Sequence, residues 1–151
     1  PILPYFHFAG LHRRQYDTQG FLGASEFGSK TQIKAISCLL EQKAGVRRFV
    51  MVSYFGAGPD HGVPDDDPFF PYAQAKAAAD AHLRASDLDW TVLGPSRLTL
   101  EPATGRIAVG PDTGKGQVSR GNVALAIAGC LADNSTIGRT IEFNDGPTPI
   151  P

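Results

Sequence analysis

The sequence predicts an α/β fold built on a parallel sheet. Two observations carry this. Apolar runs of strand length alternate with segments of helical periodicity, in the order strand, helix, strand, helix, strand, helix, strand. Phe49, Val50, Met51 and Val52 form a continuous apolar run, the mark of a strand buried on both faces.

The elements follow in order. Residues 1–10, PILPYFHFAG, read as a short strand closed by Gly10, and residues 11–28 as a polar, Gly-rich loop. The next segment, SKTQIKAISCLLEQKAG, reads as a helix. Ser29 and Gln32 have capping-box spacing, Ile33, Ile36, Leu39 and Leu40 recur at helical spacing, and Gly45 supplies a left-handed stop. VRRFVMVS is the next strand, followed by a long loop rich in Gly, Pro and Asp. Pro71 suits the first turn of a helix that runs to about Ser86. LDWTVLGP is a strand stopped by Gly94 and Pro95. The segment after it reads mostly as loop, with a short strand at Arg106–Val109. Ser119 caps the helix RGNVALAIAGCLAD, and GRTIEFND is a final strand before a Pro-rich tail.

This order has a consequence. If successive strands are neighbours and every crossover is right-handed, all three helices cover one face of the sheet. The other face would be bare, although the strand at 49–52 is apolar on both sides, and the first strand would be an open edge. A further half-domain, or a partner supplying one, is expected.

Composition narrows the function. The 151 residues suit one domain with a single core. A net charge of -1 with mixed signs gives no basic footprint for nucleic acid. No apolar run reaches the roughly 18 residues of a membrane span. The first ten residues lack a charged leader region and a small-residue cleavage site. Cys38 and Cys130 lie among apolar residues of expected helices, and no Cys-x-x-Cys exists. They read as buried small hydrophobes in a reducing compartment, which suits a cytoplasmic protein.

The chemistry-bearing residues cluster around Tyr72 and Lys76. Four residues apart on a helix, they share a face, roughly 5–6 Å apart at Cβ. An unperturbed tyrosine titrates near 10. A cation about 4 Å away is worth on the order of 4 kcal/mol at an effective dielectric of 20. That is enough to bring a tyrosine into the range of a general acid/base. Taken alone, the pair also fits an exposed helix face. Ser53 ends the apolar strand, at the carboxyl edge where open parallel sheets bind ligands, and also fits a plain strand-end hydroxyl. Arg97, just beyond the next strand, reads as a surface charge or as a ligand to an acidic group. Asp65, Asp66 and Asp67 lack the spacing of a calcium loop, and the four histidines form no metal pattern. No metal is expected. There is no Gly-x-Ser-x-Gly elbow.

From about Thr31 to Ile150 the chain resembles the atypical short-chain dehydrogenase/reductases, NAD(P)-binding Rossmann proteins of NmrA-like or flavin-reductase-like type. AGVRRFVMVS, YAQAKAAADAHLRASDLDWTVLGPSRLT, TGRIAV and IGRTIEF carry the resemblance, in the family's order and spacing. It implies Tyr72 as general acid/base, Lys76 as its electrostatic partner and anchor for the nicotinamide ribose, and Ser53 as the third member. Gly10, Ser53, Tyr72, Lys76, Gly94, Pro95, Ser96, Arg97 and Leu98 become cofactor-binding candidates. Arg97 stands where many relatives have a small residue.

The implied function is an NAD(P)-dependent oxidoreductase acting on a small-molecule substrate, with NADP slightly favoured over NAD and a homo-oligomer admitted. The alternative is a non-catalytic NAD(P)-binding redox sensor. Family members begin with a strand and a Gly-x-x-Gly-x-x-Gly turn that seats the pyrophosphate at a helix N-terminus. GFLGASEFG is a weak substitute, since no strand precedes it. The expectation is the C-terminal portion of a longer reductase, lacking the N-terminal strands and Gly-rich loop.

Overall fold

The computed structural model describes residues 45–110 and 113–151. The expected strand at 1–10, the loop after it and the helix at 29–45, with Gly10 and Cys38, lie outside the described residues. Within them the order is β1 (Arg48–Val52), α1 (Phe70–Arg84), β2 (Asp89–Pro95), β3 (Arg97–Thr99), β4 (Arg106–Val109), β5 (Gln117–Ser119), α2 (Arg120–Ala132), β6 (Arg139–Asp145) and β7 (Thr148–Pro149). A single 3-10 turn at Asn134–Thr136 joins α2 to β6. The main sheet runs β1–β2–β6–β4–β7. β1, β2 and β6 are parallel, with Val50 opposite Thr91 and Leu93 opposite Ile141. β4 is antiparallel to both β6 and β7. β3 and β5 form a separate parallel pair. The α/β class with a mostly parallel sheet is as expected.

The arrangement of helices corrects one expectation. α1 and α2 pack on opposite faces. On one face Met51 and Val92 meet Ala79, Leu83 and Leu88, flanked by Phe49 and Trp90. On the other, Leu93 and Phe143 meet Val123, Ala126, Ile127 and Cys130, flanked by Val50 and Val52. Alternate residues of β1 therefore enter two cores, as a pleated strand with a period of two requires. The single-face expectation assumed simple crossovers. The connection from β2 to β6 is not simple, because it contains β3, β4 and β5, and β4 joins the sheet beyond β6. The face expected to be bare is the one that α2 covers.

Local chemistry explains the helices. α1 has Pro71 in its first turn, where a missing N–H costs nothing, and His82 and Arg84 in its last turn, beside the negative end of its dipole. Its small buried residues, Ala73, Ala77 and Ala79, let the helix lie close to its neighbours. α2 starts where Ser119 accepts a hydrogen bond from the Asn122 backbone N–H at 3.1 Å. At its other end, Arg48 donates to the Cys130 carbonyl and to the Thr91 and Thr136 hydroxyls, tying α2 to β1 and β2. Cys130 is a buried free thiol, and burial pushes its pKa up. No helix among the described residues is long and apolar enough to cross a membrane. No group of three or more metal-ligating side chains occurs among them.

Candidate functional site

The carboxyl ends of β1 and β2 lie side by side, held past their last paired residues. The Ser53 N–H donates to the Leu93 carbonyl at 2.7 Å, and the Phe55 N–H to the Pro95 carbonyl at 3.0 Å. This fixes Ser53 against the edge where β2 delivers Gly94, Pro95 and Ser96. α1 runs beside the same edge and brings Tyr72, Lys76 and Asp80, at successive steps of four, onto one face.

Three of the expected residues meet there. Lys76 is only 7% exposed. Its ammonium donates to the Val52 carbonyl at 2.9 Å and lies 5.5 Å from the centre of the Tyr72 ring. Ser53, 5% exposed, donates its hydroxyl to Asp80 Oδ2 at 2.7 Å. The Tyr72 ring packs against Phe69 and Tyr54, with centroids 5.0 and 5.9 Å away. Phe69 and Tyr54 meet edge to face at 5.5 Å. The result is an aromatic cluster with a buried cation beneath it.

The electrostatics correct a second expectation. Lys76 was expected to draw the Tyr72 pKa down. Burial instead pushes it above 10.0, and the neighbouring Tyr54 and Asp80 push it further in the same direction. The geometry gives the reason for the burial: the Tyr72 ring is packed between Phe69 and Tyr54, while the Lys76 ammonium donates to the Val52 carbonyl and lies 5.5 Å from the ring centre. Tyr54 is likewise pushed up, by burial and then by Asp80.

The remaining expected residues divide. Gly94 sits where a Cβ would lie 3.0 Å from Glu142 Cγ and 3.2 Å from the Tyr54 carbonyl oxygen, so any side chain there would push β2 or the chain after Ser53 outward. Ser96 is buried. Its N–H donates to the Phe143 carbonyl at 3.2 Å, and its hydroxyl accepts from the Gly116 N–H at 3.1 Å, so it joins β2 to β6 and to the chain entering β5. Arg97 is exposed and paired with Gln117 Oε1 at 2.9 Å, and Leu98 is partly exposed on β3. Gly10 lies outside the described residues. Two residues at this edge were not singled out from sequence: Tyr54, whose hydroxyl is buried with no hydrogen-bond partner among the described residues, and Asp80, which is fully buried. Asp80 had a signal, since it follows Lys76 at the same four-residue step in an otherwise alanine-rich stretch.

A nicotinamide dinucleotide is compatible with this edge. Ser53, Lys76 and Tyr72 supply polar groups there, and the close packing of Gly94 on Tyr54 and Glu142 holds the two strand ends together.

A family model described as NAD(P)H-binding matches residues 15–134. An uncharacterized sugar epimerase of Bacillus subtilis, YhfK, is 36% identical over 108 residues, covering 71% of this chain and 49% of its own length. Among solved structures, the oxidoreductase ylbE of Lactococcus lactis is 29% identical with a TM-score of 0.76, covering 88% of this chain and 62% of its own. A short-chain dehydrogenase/reductase of Veillonella parvula, solved in complex with NADP, is 25% identical with a TM-score of 0.62, covering 79% and 60%. The chain spans about half the length of the curated relatives it matches. The parallel sheet with helices on both faces accords with this match: the chain belongs to the NAD(P)H-binding family of Rossmann-type proteins.

Proposed function

We propose that the chain carries the nicotinamide side of an NAD(P)-dependent oxidoreductase of the atypical short-chain type, with Tyr72 as proton donor. The observation that carries this reading is the convergence of Tyr72, Lys76 and Ser53 at the carboxyl end of β1, beside the close approach made by Gly94. When bound, the nicotinamide supplies or accepts a hydride. The chain's own residues handle the proton. Tyr72 carries its proton at neutral pH, like any tyrosine, so in a carbonyl reduction it would be the donor; burial makes it a weaker acid than a free phenol, which the reaction must overcome. Lys76, anchored on Val52, holds positive charge beneath the Tyr72 ring and beside the expected ribose position. Gly94, Pro95 and Ser96 form the floor, while Arg97 and Leu98 stand at its rim. NADP is favoured by the relative solved with it.

The raised Tyr72 also favours a second reading, a dinucleotide-binding sensor without turnover. The experiment is Tyr72→Phe. Loss of a general acid lowers cofactor-dependent turnover roughly 10²–10⁴-fold. Turnover within a few fold of wild type removes Tyr72 from the chemistry. Dinucleotide binding with no turnover by wild type, across a panel of carbonyl compounds, selects the sensor.

A further inference from the structure

Asp80 sits beneath the reacting edge, fully buried, and accepts the Ser53 hydroxyl at 2.7 Å. A serine hydroxyl has one proton and two lone pairs. An ionised carboxylate only accepts, so while this bond stands Ser53 has no proton to offer a ligand. The geometry supports the ionised form: Lys76, an ammonium four residues earlier on the same helix, is buried on the same face.

We propose that Asp80 is a positioning residue that sets the polarity of Ser53, making it a hydrogen-bond acceptor for the carboxamide N–H of a nicotinamide rather than a donor to a carbonyl. The inference rests on the nicotinamide site proposed above. Ser53 lies at the carboxyl edge, and its backbone is pinned to Leu93. Its hydroxyl therefore cannot turn outward without breaking a charge-assisted bond. The site then has a division of labour: Tyr72 is a protonated donor, and Ser53 is an acceptor.

The test uses the full chain and two probes, NADP⁺ and its 3-acetylpyridine analogue, in which a methyl replaces the carboxamide N–H₂ and the carbonyl is kept. Calorimetry gives the ratio of their dissociation constants. An accepting Ser53 makes wild type bind NADP⁺ tighter, by about twofold to about tenfold for one hydrogen bond. A donating Ser53 would address the carbonyl that both probes share and give a ratio near one. Ser53→Ala should bring the ratio to one. Asp80→Asn, whose amide can donate to the Ser53 oxygen and release its proton, should shrink the ratio toward one as well. A general loss of structure weakens both probes alike and leaves the ratio unmoved. If Asp80→Asn fails to fold, the wild-type and Ser53→Ala ratios decide. Equal binding by wild type, or a ratio that survives in either folded variant, overturns the polarity assignment while the nicotinamide site stands. If folded wild type binds neither probe, the site itself is overturned and the inference with it.

Discussion

Asn122 is the side chain whose removal should cost the fold most per atom. It is fully buried in the first turn of α2. Its amide nitrogen donates to Thr104 Oγ1 at 2.8 Å, the Arg106 carbonyl at 3.0 Å and Asp145 Oδ1 at 2.6 Å. Its amide oxygen accepts from the Gly105 N–H at 2.9 Å. Asp145 in turn accepts from the Ser119 N–H at the start of the same helix. Asn122→Ala removes these bonds together. The amide has two N–H groups for its three acceptors, so the set counts as about three full bonds; at roughly 0.5–1.5 kcal/mol net each, the span is about 1.5–4.5 kcal/mol. Thr104 and Arg106 are exposed, so water recovers part of the loss for their partner atoms. Gly105 and Asp145 are less exposed and recover less. The expected destabilisation is therefore about 1.5–4 kcal/mol. Urea unfolding followed by circular dichroism reads it as a lower midpoint with an unchanged slope. A loss below about 1 kcal/mol would refute the reasoning, because the network would then contribute no more than a solvated surface amide.

Other predictions concern packing, close approach and titration. Phe143→Ala, at a fully buried position between β6 and α2, should cost about 3–5 kcal/mol in the same assay. Gly94→Ala places a methyl 3.2 Å from the Tyr54 carbonyl oxygen and should cost about 1–3 kcal/mol. It should also weaken dinucleotide binding more than a rim change such as Arg97→Ala does. Tyr54 and Tyr72 have raised pKa values in the folded state, so the unfolded chain loses their protons first as pH rises. Their contribution is intact below about 10 and is lost as pH climbs through the higher folded values. The alkaline fall in unfolding free energy should be shallower in Tyr72→Phe than in wild type, and an identical fall in both would contradict the burial assigned to that hydroxyl.

How much of this was legible in the sequence depends on the length scale of each signal. β1, α1, β2, α2 and β6 show themselves through periodicity or continuous apolar runs, and their order is enough for the α/β class. β3, β5 and β7 have two or three residues each, too few for any period to register, and their partners lie far along the chain. That same insertion between β2 and β6 broke the simple-crossover assumption and led to the wrong face for α2. Part of the candidate site was readable, because Tyr72 and Lys76 share a helix face by spacing alone and Ser53 ends a strand. The sign of the tyrosine's perturbation was not, since it depends first on how deeply the ring is buried. Burial against Phe69 and Tyr54, the largest cause, comes from tertiary packing that no helix spacing reveals. Asp80 is the converse case: its four-residue step is visible in the sequence, but only the fold shows it buried against Ser53.

The central claim is that the carboxyl edge of β1 and β2 is a nicotinamide site in which Tyr72 donates the proton. The most direct measurement pairs calorimetric binding of NADPH and NADH with cofactor oxidation over a panel of carbonyl compounds, for wild type and Tyr72→Phe. Both proteins should bind the dinucleotide with similar affinity, and Tyr72→Phe should lose roughly 10²–10⁴-fold in turnover. Binding by neither protein, or turnover that survives the loss of the phenol within a few fold, would contradict the claim.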